Sequence, residues 1–170
     1  VVTDQAAYTM QFVGPPFTFS IRQVGSGCGA VGQHSLVFAN GRVFWMGISG
    51  GFFMFDGTVK TLPCLVEDFV FKTTGSNLGF NFDTGSDIVY AGHNNLYGEV
   101  QWFYPKSGST QIDRIVSFNY DAGVWTTGTL DRTSWADASV FALPQATRYY
   151  ANNIPTFPTI RGASNGSTVL

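Results

Sequence analysis

The chain has 170 residues and a net charge of −2, with 44% apolar, 16% aromatic and only 12% charged side chains. Its 20 Gly and 7 Pro recur too often for a mostly helical protein, because an ordinary helix runs about 11–12 residues and excludes both. The apolar content excludes disorder, no apolar run reaches the ~20 residues of a membrane-spanning helix, and the lack of any Lys or Arg run excludes autonomous nucleic-acid binding and attraction to anionic membranes. With so few charges, solubility rests on Ser, Thr, Asn and Gln, which suits an extracellular protein or a subunit buried in a large assembly. Val1 to Val13 has neither the basic start nor the apolar core of a signal peptide. The opening on Val1 and the polar Gly162-Ala-Ser-Asn-Gly-Ser167 stretch read as a piece of a longer chain.

Residues 1–34 form a lead-in, with a strand expected over Phe17–Val24 from its alternating pattern. Gly27-Cys-Gly29-Ala-Val-Gly32 has the literal spacing of a dinucleotide fingerprint. The next segment, His34-Ser-Leu-Val-Phe38, reads as a strand, so no helix N-terminus is expected to receive a pyrophosphate. Gln33 stands where a P-loop requires Lys. A tightly packed glycine-rich turn with Cys28 inside is the expectation.

Residues 35–62 read as a blade-like antiparallel meander. Asn40-Gly41 separates Ser35–Ala39 from Arg42–Met46, and Asp56-Gly57 separates Phe52–Phe55 from Thr58–Leu62. Both dipeptides tolerate the positive φ that a two-residue type I′ hairpin needs at each central position. The stretch Gly47-Ile-Ser-Gly-Gly51 connects the hairpins. Residues 63–86 form a connector in which Cys64–Lys72 is either a strand or a short helix.

A second meander is expected over residues 87–130: Asp87–Ala91, a turn in His93–Gly98, Glu99–Tyr104 stopped by Pro105, Arg114–Tyr120, and Val124–Leu130. The two units match position by position. Gly41-x-Val43-x-Trp45-Met46 answers Gly98-x-Val100-x-Trp102-Phe103. Phe53-Met-Phe55-Asp-Gly57 answers Phe118-Asn-Tyr120-Asp-Ala-Gly123, with longer loops in the second copy. Both faces of these strands are apolar, so both need cover. Repetition of this kind predicts an all-β protein of four-stranded meanders arranged as blades of a partial β-propeller, with a β-sandwich as the alternative. Residues 131–170 would hold a partial third unit, starting near Ser139–Leu143, and a tail. Tyr149-Tyr150 and Pro155–Ile160 do not complete that unit.

Few residues carry chemistry. Phe82-Asp-Thr-Gly-Ser86 resembles the catalytic loop of aspartic proteases, which needs two carboxylates sharing one proton. No second copy of the motif exists, so Asp83 is expected in an Asx-turn with Gly85 at positive φ. Cys28 and Cys64 are either one disulfide or two free thiols. With His34 and His93 they lack paired zinc-ligand spacing, so neither a metal site nor another cofactor is expected. Trp102, Tyr104 and Trp125, with Trp135, are the weak candidates for stacking on carbohydrate, although strand positions favour the core. No catalytic residue is assigned.

At Gly41-Arg-Val-Phe-Trp-Met46, Phe53-Met-Phe-Asp-Gly57, Glu99-Val-Gln-Trp-Phe-Tyr-Pro105, Asp113-Arg-Ile-Val-Ser-Phe-Asn-Tyr120, Trp125 and Arg132-Thr-Ser-Trp135, the sequence resembles a propeller-like family of short-tailed bacteriophages. Its members are tail-hub, tail-nozzle or packaged-DNA stabilisation proteins. The resemblance covers residues 25–141. It implies a non-enzymatic structural part of the virion tail, in which copies of the chain and other tail and neck proteins close the DNA channel and guide ejection. The partners would be those proteins, with passing contact to genomic DNA, no membrane span and no sequence-specific nucleic-acid binding. A carbohydrate- or receptor-binding propeller is the alternative, and an aspartic-type hydrolase is a third reading.

Overall fold

A computed structural model describes residues 1–138 and 141–148. The protein is all-β, with antiparallel sheets. Strands β1 (Ala6–Phe12) and β2 (Phe19–Ser26) form a hairpin. The first meander is β3 (Leu36–Ala39), β4 (Arg42–Met46), β5 (Phe52–Phe55) and β6 (Val59–Leu62), hydrogen-bonded in that order. Two short helices follow, α1 (Glu67–Phe71) and α2 (Gly85–Ile88). The second meander is β7 (Tyr90–Asn94), β8 (Glu99–Tyr104), β9 (Arg114–Asn119) and β10 (Val124–Gly128), again paired in sequence. A last hairpin joins β11 (Ser134–Ala136) to β12 (Gln145–Thr147).

Local chemistry explains most of the turns. Asn40 and Gly41 both lie at positive φ, 48° and 73°, between the paired Ala39 and Arg42, as a type I′ turn requires. The next hairpin differs from expectation. Phe55 pairs with Val59, leaving a three-residue loop in which Gly57 alone has positive φ. Asp56 accepts hydrogen bonds from Lys60 Nζ at 2.6 Å and Thr58 Oγ1 at 3.4 Å, and its backbone lies outside the left-handed region.

Three other expectations change. The segment Asp87–Ala91 is not one strand, because Asp87 and Ile88 belong to α2 and β7 starts at Tyr90. Gly85 lies inside α2 and not at positive φ. A Cβ there would come within 2.4 Å of Phe80 Cζ, so close packing against the Phe80 ring requires glycine at this position. The strand expected near Ser139–Leu143 is not formed over 141–143, and the chain instead pairs β11 with β12. Ser139 and Val140 of the expected strand, together with Tyr149-Tyr150 and Pro155–Ile160, lie outside the described residues. Of the two alternatives for Cys64–Lys72, the helix forms, over Glu67–Phe71. Hairpin partner β1 has no counterpart in the sequence reading.

Strand alternation sorts the core into layers. One face of the first meander presents Phe44, Met46 and Phe52, which pack with Val100, Trp102, Tyr104 and Val116 of the second. Its other face presents Trp45, with Val43, Phe53 and Val59, to Ala7, Cys28 and Val24 of the lead-in. Each fully buried side chain of this size contributes about 1.5–3 kcal/mol. The first strands converge: β7 lies beside β3 through the parallel His34–Tyr90 bridge, with Ala91 N donating to His34 O at 2.7 Å, and β11 lies beside β7.

Candidate functional site

The contacts between layers are organised by tryptophan. Trp45 on β4 is fully buried, stacks on Phe53 with centroids 5.7 Å apart, and donates its indole N–H to Cys28 O at 2.8 Å. Trp102 on β8 is fully buried, lies 4.7 Å from the Phe52 ring, and donates to Ser35 O at 3.0 Å. The two hold equivalent slots. Each sits on the second strand of its meander, Trp45 opposite Leu36 and Trp102 opposite Ala91, and each faces the layer that precedes it in the chain. Trp135 on β11 repeats the move, donating to His93 O of β7 at 2.8 Å and packing on Phe103. Trp125 donates to Pro63 O at 2.9 Å. A buried indole N–H left without an acceptor would cost about 1–3 kcal/mol, and all four are satisfied.

These positions bear directly on the carbohydrate-stacking candidates. Trp102 and Tyr104 have no exposed ring face. Trp125 is half-buried among Phe52, Trp102 and Phe118. The rings join meander to meander, and burial pushes the Tyr104 hydroxyl up to about 12.

The motif-like stretches are structural in their surroundings. A Cβ on Gly29 would lie 1.8 Å from Asp4 O, and one on Gly32 would lie 2.1 Å from Ser86 O. Both glycines therefore permit backbone-to-backbone contact ahead of β3. The Asp83 loop is ordered by Asn81, whose Oδ1 accepts from Asp83 N at 3.0 Å and whose Nδ2 donates to Thr84 Oγ1 and Ser109 O. Asp83 itself is exposed. Cys28 and Cys64 are both free thiols. Burial pushes Cys64 up to about 11, so the thiolate that nucleophilic attack or metal ligation needs is scarce at neutral pH. Among the described residues no group of three or more His, Cys, Asp or Glu is placed to hold a metal ion. No helix among them is long and apolar enough to cross a membrane.

One feature has no signature in the sequence. The turn ends of the two meanders enclose an open depression of about 450 Å³, lined by Asn40, Asn95, Tyr97, Tyr120 and Asp121 among others. A polar chain stands beside it. Asp137 accepts from Asn95 N with both carboxylate oxygens at 3.1 Å and lies 3.2 Å from His93 Nδ1. His93 Nε2 is 3.1 Å from the Tyr120 hydroxyl. Nδ1 facing Asp137 and Nε2 facing the Tyr120 hydroxyl give both ring nitrogens of His93 a polar neighbour. Partial burial, then Asp121 and Asp137, raise the Tyr120 hydroxyl above its ordinary value. Residues 40, 93–98, 120–121 and 137 come from four separate segments, and no local spacing links them. No protein-family model matches the chain, and no curated protein does.

Proposed function

We propose that the chain is a structural component of a bacteriophage tail, part of a hub, nozzle or neck ring that closes the DNA channel and guides genome ejection. In this reading its meanders are blades of an incomplete β-propeller, and it catalyses no reaction. The supporting observation is that Trp45 and Trp102 hold matching positions on the second strands of their two meanders, the first of which is covered on both faces. The first meander has apolar cover from the lead-in on one side and from the second meander on the other, an arrangement that suits a blade between neighbours and is also compatible with a β-sandwich whose outer face the lead-in covers. Stacked repeats need such cover. The tail assignment itself rests on the aromatic strand patterns quoted above. Low charge accords with extensive subunit interface, and a weakly acidic wall gives DNA phosphates no partners to grip. The partners in this reading are other tail and neck proteins and further copies of the chain.

An antibody against the chain should label the tail end of virions that carry its gene in immunogold electron microscopy. Purified, infectious particles that lack the chain would end the tail reading. A dense ring of Lys or Arg along an assembled channel would end the sliding argument.

The depression at the turn ends favours a second reading, a carbohydrate-binding module, because Tyr97 offers an exposed ring beside Asn40, Asn95 and Asp121. Binding on a glycan array that is abolished by Tyr97→Ala would favour it over the tail reading.

A further inference from the structure

The β1–β2 hairpin is anchored at one end only. Ala6 and Ala7 at its base are buried, and Ala7 and Val24 pack with Cys28 against the first meander. At the base a Cβ on Gly25 would lie 2.8 Å from Cys28 Sγ, so glycine allows this close seating. Beyond the base, both strands are exposed from Met10 to Phe12 and from Phe19 to Gln23.

The exposed part has two unlike faces. Met10 pairs with Ile21 and Phe12 with Phe19, and these four share one face because alternate residues point the same way. The Phe12 and Phe19 rings meet edge to face at 5.8 Å. Thr9 with Arg22 and Gln11 with Ser20 make the other face. Val13 and Phe17 extend the apolar surface at the tip. These six apolar residues are 49–78% exposed. With ~150–250 Å² for each aromatic side chain, they leave on the order of 700 Å² of apolar surface open, more than the ~300–600 Å² of the largest patch on a typical monomer.

We propose that this arm is a self-association surface, packing its apolar face on the same face of a second copy of the chain about a two-fold axis. Two observations select that occupant. The open area is close to the ~800 Å² that each partner contributes to a standard interface, so one patch used twice suffices for an isologous contact. From Gln5 to Ile21 the arm carries no charged side chain; its apolar face therefore has nothing to attract a charged partner and nothing to repel its own copy. A two-stranded ribbon is marginally stable alone in water, and the second copy supplies the missing cover. The contact does not depend on the tail reading.

Sedimentation and light scattering over a wide concentration range should give a dimer–monomer equilibrium for the wild-type chain. Phe12→Ser with Phe19→Ser should weaken it by about a hundredfold or more, since each loss is felt in both copies. Gln11→Glu, on the polar face, should leave it unchanged. If the double variant fails to fold, single cysteines decide the matter in a Cys64→Ser background. Met10→Cys should form an intermolecular disulfide under mild oxidation, and Thr9→Cys should not. A wild-type monomer at every concentration overturns the proposal. A dimer that survives the double variant, or that cross-links equally through Thr9→Cys, overturns it too. Each of these outcomes leaves the virion-labelling test of the tail reading standing.

Discussion

Trp45 and Trp102 occupy equivalent slots, yet their acceptors differ, and this separates two otherwise similar substitutions. Ser35 O accepts from Trp102 Nε1 at 3.0 Å and also from Met46 N at 3.3 Å. Cys28 O accepts from Trp45 Nε1 at 2.8 Å and has no second donor among the described residues. Replacing either tryptophan by phenylalanine removes one ring and one donor. In Trp102→Phe the carbonyl keeps the Met46 bond, so the loss is a net hydrogen bond plus a small void, about 1–2 kcal/mol. In Trp45→Phe a buried carbonyl is left bare, which adds about 1–3 kcal/mol. Trp45→Phe should therefore be the more damaging by at least about 1 kcal/mol. The Trp→Ala pair should cost about 3–5 kcal/mol each, a large share of a typical folding stability of about 5–15 kcal/mol. Urea unfolding followed by far-ultraviolet circular dichroism measures both series, since the readout does not depend on the tryptophans removed. Equal costs for the two phenylalanine variants, or a larger cost for Trp102→Phe, would refute the argument from carbonyl satisfaction.

Further substitutions and pH test other contacts. Gly92→Ala places a Cβ 2.7 Å from Trp135 Cδ1 and should lift β11 from β7 at a cost of about 1–3 kcal/mol, seen as faster hydrogen exchange at Ser134–Ala136 with the first meander unchanged. Gly98→Ala combines a φ of +64° with a clash 2.5 Å from Asp121 Oδ2; it should cost at least about 1–2 kcal/mol, and Asp121→Ala should relieve only the clash. Cys64 has its folded pKa raised from 9.0 to about 11 by burial. Its contribution to stability is therefore complete below pH 9 and is lost as pH rises towards 11, because the unfolded thiol ionises first. In Cys64→Ser that part of the alkaline loss should be absent, and alkylation of wild-type Cys64 should be slow at neutral pH.

The parts of this fold that are legible in the sequence are those governed by neighbours along the chain. Asn40-Gly41 specifies its turn because both residues accept positive φ. Glu99–Tyr104 reads as a strand and stops at Pro105 because proline lacks the donor a ladder needs. The correspondence of Val43-x-Trp45 with Val100-x-Trp102, apolar on both faces, already required layers on both sides of a sheet. Where a residue answers to a distant one, local reading fails. Gly85 looked like a turn glycine, and its true constraint is the Phe80 ring. Asp87 and Ile88 looked like strand residues, and they close a helical turn held by Asn81 and Gly85 carbonyls.

Function-bearing geometry falls mostly in the second group. Trp102, Tyr104 and Trp125 were visible as aromatic residues, but only the packing of one meander on the other reveals that two of them have no free face. Asn40, His93, Tyr97, Tyr120 and Asp137 carry no shared spacing, and they meet because three turns and the end of β11 gather at one end of the layers. Alternation along a strand records which side chains must be hidden, since it follows from the backbone's two-residue period. The identity of what hides them depends on contacts between segments as far apart as Ser35 and Trp102, which no local pattern encodes.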